Sequence, residues 1–120
     1  MKKILIVDDE PNIVMSLEYT FKKNNYQVFI ARDGQEALDI VKINFPDVII
    51  LDVMMPMVDG YATLEQIRKD DNLQHTKVIF LSAKNKESDI EKGMALGADA
   101  YMTKPFSVKK IVEQVVELLS

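Results

Sequence analysis

Four consecutive apolar residues, Val48-Ile49-Ile50-Leu51, run straight into an acid, Asp52. A run that is apolar on both faces fits a strand buried on both faces, as in the middle of a parallel sheet. A lone carboxylate is costly to bury, so the strand must surface at Asp52. Pro56 then stops further pairing. Asp52 is therefore expected at the carboxyl end of a central strand, the edge at which open α/β sheets place their ligands.

The rest of the chain repeats this phrase. Ile4 to Val7 is a second short apolar run, and Asp8-Asp9-Glu10 comes directly after it. Pro11 suits the first turn of a helix, and Ile13, Val14, Leu17 and Phe21 recur at helical spacing up to Asn24-Asn25. Tyr26, Val28 and Ile30 alternate with Gln27 and Phe29, which predicts a less buried edge strand. Asp33 is placed to cap a helix, with Glu36 three residues on. Ala37, Leu38 and Val41 form its stripe, and Phe45-Pro46 closes it. After the central strand, Asp59-Gly60 marks a turn. Tyr61, Leu64, Ile67 and Arg68 then predict a helix with a narrow apolar face, and 70–76 a polar connection. Val78 to Leu81 is the next strand and ends at Ser82-Ala83. Ser88 or Asp89 is the expected cap of a helix carrying Ile90, Met94 and Ala95 and stopped by Gly97. Ala98 to Thr103 reads as a short strand ending at Lys104-Pro105. Ser107 caps a last helix whose inner face is Val108, Ile111, Val112, Val115, Leu118 and Leu119.

Strand and helix thus alternate five times, which implies a parallel sheet with helices on both faces. Right-handed crossovers leave few topologies. At 120 residues the chain matches one domain with a real core, and no linker, low-complexity stretch or second core interrupts it. The expectation is a single domain over 1–120.

Composition narrows the chemistry. The chain has no cysteine, so it has no disulfide, thiolate metal site or thiol nucleophile. The apolar start is too short, and too soon acidic, for a signal peptide, and no run approaches a membrane span. These features agree with a cytoplasmic protein without membrane contact. A net charge of -4 argues against nucleic acid as a direct partner. A single His75 makes no metal site and reads as a loop residue, and Met54, Met55 and Met57 read as packing and loop residues.

Parallel strands share one carboxyl edge. The residues just past the strands at that edge are Asp8-Asp9, Asp52, Ser82 and Lys104. Clustered carboxylates repel unless something positive joins them. Hard oxygen ligands without His or Cys suit Mg²⁺, which takes one or two carboxylates directly and keeps several waters. A divalent cation, a lysine and a hydroxyl together fit phosphoryl chemistry, with Asp52 as the natural nucleophile. No second acid stands shortly after Asp52 to act as general acid or base. Such a site accepts a phosphoryl group and keeps it, rather than turning over rapidly.

The pieces ILIVDDE, DVIILDVMMPMVDGY, VIFLSA and GADAYMTKPF, in this order over essentially the whole chain, resemble the receiver domain of two-component response regulators. The resemblance implies the flavodoxin-like (βα)5 fold with strand order 2-1-3-4-5. It implies that Asp52 takes a phosphoryl group from a histidine kinase, or from a phosphotransfer protein, and becomes a 4-aspartylphosphate. Asp9 would bind Mg²⁺ directly and Asp8 mostly through water, with Asp52 and the backbone carbonyl of Met54 completing the protein ligands; Mn²⁺ is an acceptable substitute. Ser82, with Ala83, and Lys104 would contact the phosphoryl group. Tyr101 would turn inward when Ser82 moves, although it reads equally well as a static aromatic at the core edge. The Lys104-Pro105 bond is expected to be cis. The implied output is a switch of the face formed by the fourth helix, fifth strand and fifth helix, read by a downstream effector domain or protein. In the family's dimer, the last helix carries an acid and an arginine where this chain has Lys110 and Gln114. A monomer or weak phosphorylation-dependent dimer is therefore expected. Met54 and Lys84, two residues beyond Asp52 and Ser82, are poor orienters of an attacking water, so self-dephosphorylation is expected to be slow.

Three other readings compete. A degenerate adaptor should have lost Asp52, Asp9 or Lys104, and all three are present. A small Mg²⁺-dependent phosphohydrolase with an aspartyl nucleophile would want an acid where Met54 stands. A flavin site would want a Gly/Ser/Thr-rich loop after the first strand, and Asp8-Asp9-Glu10 would repel its phosphate.

Overall fold

The computed structural model describes residues 1–55 and 57–120; the strand stop expected at Pro56 lies outside them. The elements run β1 Lys3–Val7, α1 Pro11–Lys23, β2 Gln27–Ala31, α2 Gly34–Asn44, β3 Val48–Leu51, α3 Gly60–Lys69, a 3₁₀ turn Asp71–Leu73, β4 Lys77–Ser82, α4 Glu87–Ala95, β5 Ala100–Thr103 and α5 Val108–Leu119. All four strand pairings are parallel, and the order across the sheet is β2-β1-β3-β4-β5. This is the doubly wound, flavodoxin-like architecture expected, with β2 at one edge.

Strand parity splits the interior into two cores. Leu5, Val7, Ile49, Leu51, Val78 and Phe80 face α2 and α3 and pack on Ala37, Val41, Leu64 and Ile67. Ile4, Ile6, Val48, Ile50, Ile79 and Leu81 face α1 and α5 and pack on Leu17, Phe21, Ile111 and Val115. All four residues of β3 are buried, so both of its faces are covered, as its apolar run requires. β2 keeps an exposed Gln27 and half-buried Val28, Phe29 and Ile30, as an edge strand does.

The caps show how the segments end. Asp33 and Asp59 accept from the backbone N–H of Glu36 and Ala62, and Ser107 from that of Lys110. Each satisfies a donor that the helix leaves free. Asn25 and Phe45, with φ of 69° and 46°, take the left-handed turn that ends α1 and α2.

Two boundaries and one connection differ from expectation. α4 starts before Ser88: Lys86 occupies the N-cap position, and Asp89, in the first turn, reaches back to accept from the Lys86 N–H at 3.3 Å. The acid caps from inside the helix, so its position alone misplaces the start. β5 begins at Ala100, because the Ala98 N–H is taken by Gly93 O and the Gly97 N–H by Met94 O. That pattern, with Gly97 at φ 108°, closes the helix rather than opening a strand. The connection at 70–76 is less polar than it reads, since Leu73 and Thr76 are buried and Thr76 Oγ1 donates to Pro46 O.

Arg68 ties this lower end together. It donates to Gly97 O, Thr76 O and Asp99 Oδ2 at 3.0, 2.8 and 3.1 Å, and the same Asp99 oxygen accepts from the Val78 N–H.

Candidate functional site

The strand ladder carries the site on its last rungs. The Asp52 N–H donates to Val7 O, the Asp8 N–H to Ala31 O and the Lys104 N–H to Ser82 O, at 3.0, 3.2 and 2.8 Å. β1, β3 and β5 therefore deliver their next residues to one edge, where β4 ends in Ser82.

Asp8 and Asp52 are 3% and 4% exposed, while Asp9 is exposed. Oxygens of all three carboxylates lie within 4.8 Å of one another. Lys104 Nζ sits between them, 3.1 Å from Asp8 Oδ2 and 3.4 Å from Asp52 Oδ2, with Glu10 Oε1 at 3.5 Å. The second oxygens are held by main chain: Asp8 Oδ1 accepts from the Glu10 N–H and Asp52 Oδ1 from the Met54 N–H, at 2.9 and 3.2 Å. The Lys104-Pro105 peptide is cis. Asp9, Asp52, Met54, Ala83 and Lys104 line an open cleft of about 550 Å³.

Gly60 lets this edge close. Its N–H donates to Val53 O at 2.9 Å, and a Cβ there would run into the main-chain oxygen of Asp52. Any other residue would push α3 away from the acid-bearing loop.

The charges are unevenly matched. Burial raises the pKa of Asp52, the neighbouring Asp8 charge raises it further, and Lys104 lowers it; the result is pushed up to about 6. Burial likewise raises Asp8 against the Glu10 N–H and Lys104. Burial works against the Lys104 charge, but the Asp8 hydrogen bond and the surrounding acids outweigh it, and its pKa is raised. One ammonium thus faces two buried carboxylates and leaves unmet negative charge.

That donor set fits a small divalent cation. Mg²⁺ bonds oxygens at roughly 2.1 Å, so opposite ligands stand roughly 4.2 Å apart. Oxygens within 4.8 Å of one another need little adjustment to reach that spacing.

Ser82 is buried at the end of β4, and its Oγ accepts from the Lys84 N–H at 3.1 Å. Tyr101 lies away from the cleft lining. Its ring packs on Phe80, and its hydroxyl donates to Lys84 O at 2.8 Å. The structure thus gathers Asp8, Asp9, Asp52, Met54, Ala83 and Lys104 directly, and joins Ser82 and Tyr101 to each other through the Lys84 main chain. Met55 is buried, whereas Met54 and Met57 are exposed, as is His75. Sequence reasoning missed Glu10, the third acid at Lys104, and the close approach of Gly60. Asp59-Gly60 signalled a turn, but nothing local told which backbone the glycine would meet.

A five-stranded parallel sheet of this order, with acids and one half-buried ammonium at its carboxyl edge, defines a flavodoxin-like signalling receiver. The chain belongs to the response regulator receiver domain family of two-component systems, whose model matches residues 4–116. It is 43% identical over 118 residues to the alkaline phosphatase synthesis transcriptional regulatory protein PhoP of Bacillus subtilis (strain 168). That match covers 98% of this chain and 48% of the relative, so the chain spans about half of the relative's length. Among solved structures, it is similar to the receiver domain of the Francisella response regulator 1452, with 36% identity, a TM-score of 0.91 and coverage of 99% and 97% of the two chains. The chemotaxis response regulator CheY4 of Vibrio cholerae superposes with a TM-score of 0.93 at 30% identity, covering 99% of each chain. Among the described residues, no helix is long and apolar enough to cross a membrane.

Proposed function

We propose that Asp52 accepts a phosphoryl group from the phosphohistidine of a histidine kinase or phosphotransfer protein. The observation that carries this reading is one buried carboxylate opening on a cleft, with one oxygen tied to Lys104 and two further acids within ligand range. Asp52 forms the new O–P bond as the P–N bond to the imidazole breaks. Mg²⁺, when bound by Asp8, Asp9, Asp52 and the Met54 carbonyl, offsets the charge on the transferring group. Lys104 holds the Asp52 carboxylate in place and meets the added negative charge.

Ala83 lines the cleft just past Ser82, the last residue of β4, and the Ser82 hydroxyl closes on a phosphoryl oxygen. Because Ser82 Oγ already holds the Lys84 N–H, and Tyr101 holds the Lys84 carbonyl, that closure moves Lys84 and Tyr101 with it. The α4–β5–α5 face is thereby biased toward one of two states, and an effector reads the difference. With no acid at Met54 or Lys84 to orient water, release of the phosphoryl group is slow. The domain is a signalling phosphoacceptor and not a turnover enzyme.

The test is intact mass after incubation with acetyl phosphate and Mg²⁺, beside Asp52→Ala. The parent is expected to gain one phosphoryl adduct that requires Mg²⁺, persists for minutes or longer and is missing from the variant. A folded parent that gains no adduct would turn the reading to an adaptor, and a lifetime of seconds would contradict the slow release.

A further inference from the structure

Tyr61, in the first turn of α3, is 7% exposed. Its ring meets Phe80 edge-on, with centroids 5.5 Å apart, and Phe80 packs on Tyr101 at 5.7 Å. Three rings thus form a row across β4, beneath the connection into α4. The outer two carry hydroxyls, and each donates to a main-chain carbonyl, one in that connection and the other in the first turn of α4. Tyr101 reaches Lys84 O at 2.8 Å, and Tyr61 reaches Asp89 O at 3.0 Å. Lys92, one turn further along α4, places Nζ 4.5 Å from the centre of the Tyr61 ring.

α4 has little else to hold its upper end. It buries Gly93, where a Cβ would come within 3.0 Å of the Phe80 and Tyr101 rings, and its other residues are half-buried or exposed. The connection and the first turn of α4 form a strap fastened at 84 and at 89, and its cleft-side end is the residue whose N–H is held by Ser82 Oγ. A displacement at Ser82 reaches α4 only as far as both fastenings transmit it.

We propose that Tyr61 is a positioning residue of the switch: its hydroxyl fixes the first turn of α4 and, together with Tyr101, couples the Ser82–Lys84 segment to that helix. The signal it transmits rests on the phosphoacceptor reading above; the fastening does not.

Tyr61→Phe keeps the ring and removes one hydrogen bond, so the expected effect is local. Amide exchange would be followed in the parent, Tyr61→Phe, Tyr101→Phe and the double variant, each unmodified and after acetyl phosphate with Mg²⁺, with intact mass reporting the adduct. In unmodified protein, Tyr61→Phe should exchange about three- to tenfold faster across 87–92, while β1 and β3 keep parental rates. The gain should be non-additive with Tyr101→Phe, because both hydroxyls hold one strap. The variant should still take the adduct but lose most of the phosphorylation-dependent change in protection of α4. Parental exchange across 87–92, additive effects, or an undiminished response in α4 would overturn the proposal. If the parent takes no adduct, the acceptor role fails by itself, and the unmodified arm decides: faster, non-additive exchange supports the coupling and parental exchange overturns it.

Discussion

In Mg²⁺-free buffer at pH 7.5, Asp52→Asn is expected to exceed the parent in stability by about 2 kcal/mol. The Asp52 carboxyl is raised from 3.8 to about 6 in the folded chain, first by burial and then by Asp8. Between those values the folded protein holds more protons than the unfolded chain, so stability falls as pH rises through the window. Above pH 6 the whole cost is present, about 3 kcal/mol for a rise of that size. The amide removes it and gives back part through a weakened contact with Lys104, now 3.4 Å from Asp52 Oδ2. Urea unfolding in EDTA measures the difference. The advantage should vanish near pH 4, where the parent carboxyl is neutral, and shrink with added Mg²⁺, since a cation taken up by the folded form alone stabilises the parent. A variant no more stable than the parent at pH 7.5 would show that Lys104 already balances the site.

Lys104→Met should do the opposite, lowering stability by about 3 kcal/mol at pH 7.5. Methionine keeps most of the side chain's bulk and removes the charge. The Lys104 side chain is 12% exposed, and its partners Asp8 and Asp52 are 3% and 5% exposed, so the acids would face each other with little water between them. Lys104 lowers the pKa of both. Without it both rise further, and the window in which stability falls extends upward in pH. The loss should therefore be large at pH 7.5 and small at pH 4.5, and Mg²⁺ should recover part of it. Because the damage is the unpaired Asp52 charge, Asp52→Asn in the Lys104→Met background should restore more than it adds to the parent. An equal loss at both pH values would point to packing instead of charge.

Much of this architecture is legible in residue order because the signals are local and mutually consistent. Val48 to Leu51 reads as a strand covered on both faces, and β3 is one. Asp8, Asp9, Asp52 and Lys104 need only a common strand direction to meet. What escaped depends on distant partners. Asp89 caps α4 from inside, which looks in sequence like the cap itself. Ala98 spends its N–H on closing α4, although its neighbours read as strand. Tyr61 is indistinguishable from an ordinary apolar helix residue until Asp89 O is known to lie above it. Glu10 is one acid among several until Lys104 arrives from far along the chain.

The amides of Asp8, Asp52 and Lys104 close the final rungs of the ladder. The two buried carboxylates and the ammonium of the cleft are therefore rooted in the strand ladder, where hydrogen bonding is most cooperative. To wander, their backbone would have to unzip neighbouring strands, so positional noise there is as rare as fraying of the sheet itself. The strap to α4, by contrast, hangs on two side-chain hydroxyls. Precision and compliance are thus assigned to different materials: hydrogen-bonded strands fix where the charged groups stand, and a few removable contacts hold the strap beside them.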